Sequence, residues 1–158
     1  MGIVGGLDIH RKQITFDYVD TVTGQWRCGQ IGHADRAARL RAWLRRSFAG
    51  RDDVAFAVEA CTGWRYVTEE LAGAGIAAHL AEPAETAAAG GKSEGAKTGR
   101  SDSRLLRESL ETGRLPKCWI PPAHLLECRA LLQTYQDLRV EHTARVQWFH
   151  AVCFGQAS

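Results

Sequence analysis

Residues 54–59, VAFAVE, decide how this chain folds. Five consecutive apolar residues rich in β-formers predict a strand buried on both faces, the kind found at the centre of a sheet covered by helices. Glu59 closes the run. A carboxylate in that position needs a partner or a ligand if it is buried. Cys61-Thr62-Gly63 turns the chain, residues 64–74 have helical periodicity stopped by Gly75, and residues 76–80 form the next strand.

Upstream, residues 3–9 form a short apolar run that carries Asp8. Residues 14–19 alternate, with Ile14, Phe16 and Tyr18 on one side, which predicts a half-buried strand. Thr23-Gly24 makes a turn and residues 26–31 return, completing an antiparallel meander. Asp35 is placed to cap a helix ending near Phe48, with Ala38, Leu40, Trp43, Leu44 and Ala49 as its apolar positions.

Downstream, Pro83 opens a short Ala-rich helix, and residues 90–99, GGKSEGAKTG, form a Gly/Lys loop. Ser101 caps a helix to Glu111 that Gly113 ends. Pro116, Pro121 and Pro122 mark a break. Residues 123–154 contain neither Gly nor Pro. Cys128, Leu131, Tyr135, Leu138, His142, Val146, Phe149 and Val152 recur there at three or four residues, the pattern of a long packing or coiled-coil helix. The expected division is therefore 1–115 and 116–158.

Three meander strands followed by α-β-α-β-α is the element order of the RNase H-like, RuvC-like α/β fold. The expected architecture is a mixed five-stranded sheet flanked by helices, with a long C-terminal coiled-coil-like helix. In such a sheet the first and fourth strands are neighbours, so Asp8 and Glu59 meet at one edge, and the helix that starts near Asp102 can cross it. Clustered carboxylates suit Mg²⁺ or Mn²⁺, hard cations that prefer oxygen. Such ions activate water and stabilise the leaving oxygen in phosphodiester cleavage. Read singly, Asp8 could be a solvent-facing strand-end acid and Asp102 an acid favouring a helix dipole.

Composition sets the frame. The formal net charge is only +2, but 16 of the 20 basic residues are Arg, and six of them fall between Arg36 and Arg51. Arg grips phosphate bidentately. Lys92, Lys97, Arg100, Arg104 and Arg107 form a second basic stretch beside the acids, and Arg65 follows Glu59 closely enough to clamp a nucleotide. Either arginine set could instead be a solvated face, and Trp64 is more readily a core anchor than a stacking platform.

Five Cys without a CxxC pair point to a reducing compartment. The stretch MGIVGGLDIHRK (1–12) places an acid where a signal peptide needs its apolar core, and no apolar run approaches a membrane span. A cytoplasmic protein without a membrane partner is expected. Zinc binding by Cys28, His33, Cys61 and His10 lacks ligand spacing. A sugar-kinase-type ATPase half lacks a second Gly-rich phosphate loop.

Three blocks go further: GLDIHRK (6–12), AVEACTGWRYVTEELAGAGIAAHLAEP (57–83) and AKTGRSDSRLLRESLETGRLP (96–116). In order, spacing and flanking residues they resemble the DEDD transposases, insertion-sequence recombinases of the 110 type related to the pilin-gene invertase. The resemblance spans about residues 3–150. It implies a RuvC-like N-terminal domain, a coiled-coil region, a C-terminal domain with a serine nucleophile, homo-oligomers, and a structured guide RNA pairing with donor and target DNA. On that pattern Asp8 is the first acid, Glu59 the second and Asp102 the fourth.

Two departures accompany it. The third acid should stand at 99, three residues before the fourth and on the same helical face. Here the segment reads KTGRSDS and supplies Gly99, with Glu94 or water as substitutes. The chain also ends at Ser158, without the serine domain. The expectation is a metal-dependent strand-processing domain of a transposase, truncated or impaired. A non-catalytic nucleic-acid-binding or dimerisation module of the same fold is the alternative.

Overall fold

The computed structural model describes residues 2–32, 34–84 and 99–156. The short helix expected after Pro83 and the loop carrying Lys92, Glu94 and Lys97 lie almost wholly outside them. The chain divides into two compact units, Met1–Trp119 and Ile120–Ser158.

In the first unit, strands β1 (Ile3–His10), β2 (Gln13–Asp20), β3 (Trp26–Gly32), β4 (Val54–Glu59), β5 (Ala77–Ala81) and β6 (Lys117–Cys118) form one sheet in the order β3-β2-β1-β4-β5-β6. β1, β4 and β5 run parallel, and the other pairings are antiparallel. Helices α1 (Arg36–Phe48), α2 (Trp64–Gly73) and α3 (Gly99–Glu111) flank it. The sheet has six strands, not the expected five. β6 is two residues between prolines, too short to show any periodicity, and only its pairing with Leu80 and Ala81 makes it a strand.

Alternation along β4 sorts the two faces. On one, Phe56 joins Phe16 and Tyr18 of β2 with Trp43 and Phe48 of α1, ring centroids 4.6–6.3 Å apart. Leu40 and Leu44 complete the buried stripe of α1, whereas Ala38 and Ala49 are exposed. Asp35 occupies the N-cap position of α1 but makes no side-chain capping bond and sits at φ 46°. It starts this helix without its side chain satisfying an amide group, contrary to the expectation from sequence.

On the other face, α3 packs on β1, β2 and β4. Its Leu106 and Leu110 close over Val4, Ala55, Ala57, Ala81 and Leu115. Gly6 makes this approach possible. A Cβ there would lie 2.1 Å from the carbonyl oxygen of Ser103 and 2.8 Å from the backbone nitrogen of Arg107. Both are backbone atoms of α3, so the helix itself would have to move. Gly6→Ala is expected to cost about 1–3 kcal/mol, the usual penalty for overpacking. Urea denaturation measures it, and a change below about 0.5 kcal/mol would show that α3 is not held this closely.

Alternation in β2 predicts that its polar side faces solvent. That side is buried under α3 instead: Thr15 is 0% exposed and Asp17 2%. Alternation identifies two different sides of the strand but cannot reveal that both are covered.

The second unit is dominated by α4 (Ala123–Gly155), a helix of 33 residues with no buried side chain. Its exposed apolar residues include Leu132, Val140, Trp148 and Phe154 beside the expected Leu131, Tyr135, Leu138 and Phe149. They are distributed round the axis rather than gathered on one coiled-coil seam. Among the described residues, no helix is long and apolar enough to cross a membrane.

Candidate metal centre at the sheet edge

The C-terminal ends of β1 and β4 lie side by side, because Leu7 pairs in parallel with Val58. Asp8 and Glu59 are the next residues along these two strands. Asp8 also pairs across β2 with Thr15. By alternation from Gly6, Thr15 and Ala57, all three side chains belong to the α3 face.

Asp8 is half-buried, and its pKa is pushed up from the usual 3.8 to about 6. Burial is the main cause, followed by the charges of Asp102 and then Glu59, with His10 opposing them. The same negative field reaches Cys61, whose thiol is raised by burial and then by Glu59 and Asp8. The three predicted acids therefore share one field at one edge.

They do not form a closed cage. Among the described residues no three His, Cys, Asp or Glu side chains stand together closely enough to hold one ion. Helical geometry explains the position of Asp102. The residue of α3 that faces Asp8 is Gly99: a Cβ on it would lie 2.6 Å from Asp8 Oδ2 and 2.9 Å from Thr15 Oγ1. Asp102, three residues on, is rotated about 60° round the axis from Gly99. It is half-exposed, and the Ser101 hydroxyl donates to its Oδ1 at 3.4 Å.

Thr15 is a site residue that sequence reasoning missed. Its hydroxyl is fully buried and has no hydrogen-bond partner among the described residues, although such groups are usually satisfied. It faces the same small space as Asp8 and Gly99. No sequence motif marks it, and the β1–β2 register alone brings it there. The donors here are all oxygen and include an unsatisfied hydroxyl, the ligand chemistry that hard divalent cations prefer.

The predicted phosphate ligands separate into distinct groups. Arg107 is a correction. It is buried, its Nε donates to Asp17 Oδ1, and its Nη1 and Nη2 reach Glu111 and Glu108 at 2.8 and 3.1 Å. Trp26 Nε1 donates to the other oxygen of Asp17 at 2.9 Å. A helix position that looks basic and exposed in sequence thus points into the sheet, opposite an acid whose burial alternation does not reveal. Arg104 and Arg65 are at the surface, in i,i+4 pairs with Glu108 at 2.7 Å and Glu69 at 2.9 Å. Arg100 is exposed. Lys92 and Lys97 lie outside the described residues.

No protein-family model and no curated protein matches the sequence. Solved structures do. Thermus thermophilus RuvC, in complex with Holliday junction substrate, superposes with a TM-score of 0.54 at 13% identity, covering 75% of this chain and 100% of that one. The fold is RuvC-like. A second structure of Thermus thermophilus RuvC gives a TM-score of 0.52 at 14% identity, covering 73% of this chain and 99% of that one. The RuvC-like, RNase H-like architecture read from the element order is therefore the architecture of the molecule. At this identity the likeness speaks to the fold alone.

Proposed function

We propose that this chain is a divalent-metal-dependent nucleic-acid-processing domain, with Asp8, Glu59 and Asp102 as the metal-holding acids. The observation that carries it is the parallel register of β1 and β4, which sets Asp8 and Glu59 side by side at one end of the sheet, where burial, Asp102 and Glu59 together raise the pKa of Asp8. A cluster of carboxylates that raises one of its own members is costly without a counter-charge, and such perturbed groups concentrate at functional sites. A divalent ion held there would supply Lewis acidity and an activated water for phosphodiester chemistry. Asp8 would anchor it from the rigid sheet, with Glu59 beside it and Asp102 reaching from the flank of α3. Arg100, Arg104 and Arg65, with Lys92 and Lys97, would hold phosphates around it.

The finer reading is strand processing in DNA transposition, with DNA and a structured guide RNA as partners and self-association through α4. It rests on the three sequence blocks and on the exposed apolar residues of α4. The Holliday junction carried by the similar RuvC structure makes branched DNA the first substrate to try. In a Mg²⁺ or Mn²⁺ series with four-way junction DNA and stem-loop RNA, wild type is expected to bind or cut in a metal-dependent way. The Asp8→Ala, Glu59→Ala double variant is expected to lose that dependence. Identical behaviour of the two proteins would refute the metal-holding role.

Gly99 favours a second reading, a binding module of the same fold without turnover. Position 99 beside Asp8 carries no third acid, and Gly99→Asp separates the two readings. The added Cβ would lie 2.6 Å from Asp8 Oδ2 and 2.9 Å from Thr15 Oγ1, so these two side chains must shift to admit it. If the site is impaired by this single change, Gly99→Asp is expected to tighten Mn²⁺ binding about tenfold, the scale on which single supporting groups act at metal sites, and to raise cleavage. In a pure binding module, nucleic-acid affinity persists and cleavage stays at zero.

A further inference from the structure

α1 carries five arginines between 36 and 46, and the structure separates them. Arg36 donates to the carbonyl of Arg11, and Arg41 Nε binds Glu70 at 2.8 Å. Arg45 lies close enough to Glu70 to lower its pKa. Arg39 and Arg46 are exposed and pair with no acid among the described residues. Arg27, on the neighbouring edge strand β3, is in the same condition.

These three line two adjoining hollows, which together form a groove. Arg27 and Arg46 border the first, a hollow of about 550 Å³ between α1 and β3, with Phe16, Tyr18, Trp43 and Ser47. A second hollow of about 240 Å³ shares Trp43 and Arg46 with it and extends past Gln30 and Gly32 to Arg39. Arg39, Trp43 and Arg46 lie on one helical stripe, with the two arginines about 10 Å apart along the axis. The Phe16 ring packs into the place of a side chain at Gly29, 2.6 Å from where its Cβ would be, and a Cβ at Gly32 would lie 3.7 Å from Arg39 Nη1.

The groove is therefore a channel with an aromatic floor and, along its walls, three guanidinium groups that pair with no acid among the described residues. It lies on the α1 face of the sheet, whereas Asp8 and Glu59 belong to the α3 face. Arginines in this state bind phosphates bidentately. Aromatic surface beside them accepts bases of any sequence, the combination used for single strands.

We propose that the α1–β3 groove binds the phosphate backbone of a single-stranded nucleic acid, as a second contact surface independent of the acid edge. The test is fluorescence anisotropy of the full chain with a labelled mixed-sequence oligonucleotide, as DNA and as RNA, in EDTA across a salt series. The Arg27→Ala, Arg39→Ala, Arg46→Ala triple variant is expected to bind at least tenfold more weakly. Its salt slope should fall by about 2, since each lost phosphate contact on a single strand removes about 0.7. EDTA removes any metal contribution, which keeps this test separate from the metal reading. No binding by wild type, or unchanged affinity and slope in the triple variant, would overturn the proposal. So would an equal loss on replacing Arg129, Arg139 and Arg145 of α4 instead, or tighter binding of a duplex of the same sequence.

Discussion

Arg107→Ala is expected to destabilise the first unit by about 3–5 kcal/mol, the usual cost of removing one partner from a buried ion pair. Asp17 is 2% exposed and would be left with Trp26 Nε1 as its remaining side-chain partner among the described residues. Against a typical total stability of about 5–15 kcal/mol, that is a large fraction. The converse change should cost less. In Asp17→Leu, Arg107 keeps Glu108 and Glu111 at the rim of the site, so its charge is not orphaned. The double variant Arg107→Leu, Asp17→Leu should recover most of the loss, because apolar replacement of a buried pair is often neutral. Urea denaturation of the three variants measures the asymmetry. Equal losses for Arg107→Ala and Asp17→Leu would show that the rim acids do not support Arg107.

Asp8→Asn is expected to stabilise the chain at pH 7 in the absence of divalent cations. The sign follows from linkage. Between the ordinary value of 3.8 and about 6, the folded protein holds a proton on Asp8 that the unfolded chain has released. Stability therefore falls as pH rises through that window and stays lower above it. At full weight the shift corresponds to about 3 kcal/mol. Asp8 is only half-buried, and solvent screening reduces the expected gain to about 1–2 kcal/mol. Below pH 3.8 the variant and wild type should converge. Mg²⁺ or Mn²⁺ should reverse the order at pH 7, because only wild type gains stability from binding the ion. Thermal melts at about pH 3.5 and pH 7, with and without Mn²⁺, measure all four states. A less stable Asp8→Asn at pH 7 without metal would contradict the field described at the sheet edge.

The parts of the fold that are legible in sequence are those where burial leaves a periodic trace. VAFAVE is apolar on both faces because α3 covers one side and the aromatic cluster the other. That run, with the meander before it, sets the order of the sheet and brings Asp8 and Glu59 to one edge. The parts that are not legible lack such a trace. β6 is too short to have a period. Thr15 and Asp17 look solvent-facing because polar residues on a strand usually are, and nothing local announces a helix that arrives from residues 99–111. The same long-range packing turns Arg107 from a surface base into a core ion pair, and it assigns Gly99, not Asp102, to the position facing Asp8. On α1 five arginines look equivalent in sequence, and only tertiary contacts with Arg11 and Glu70 distinguish the engaged ones from Arg39 and Arg46.

The proposed function stands or falls with a cation site built on Asp8 at the end of β1 and β4. Carbon-13 NMR of the Asp8 carboxyl through a pH titration tests it most directly, once in EDTA and once in Mg²⁺. The expected pKa is about 6 in EDTA, falling below the usual 3.8 in Mg²⁺, because a bound cation favours the ionised form. A pKa near 6 that Mg²⁺ leaves unchanged would contradict a cation site there.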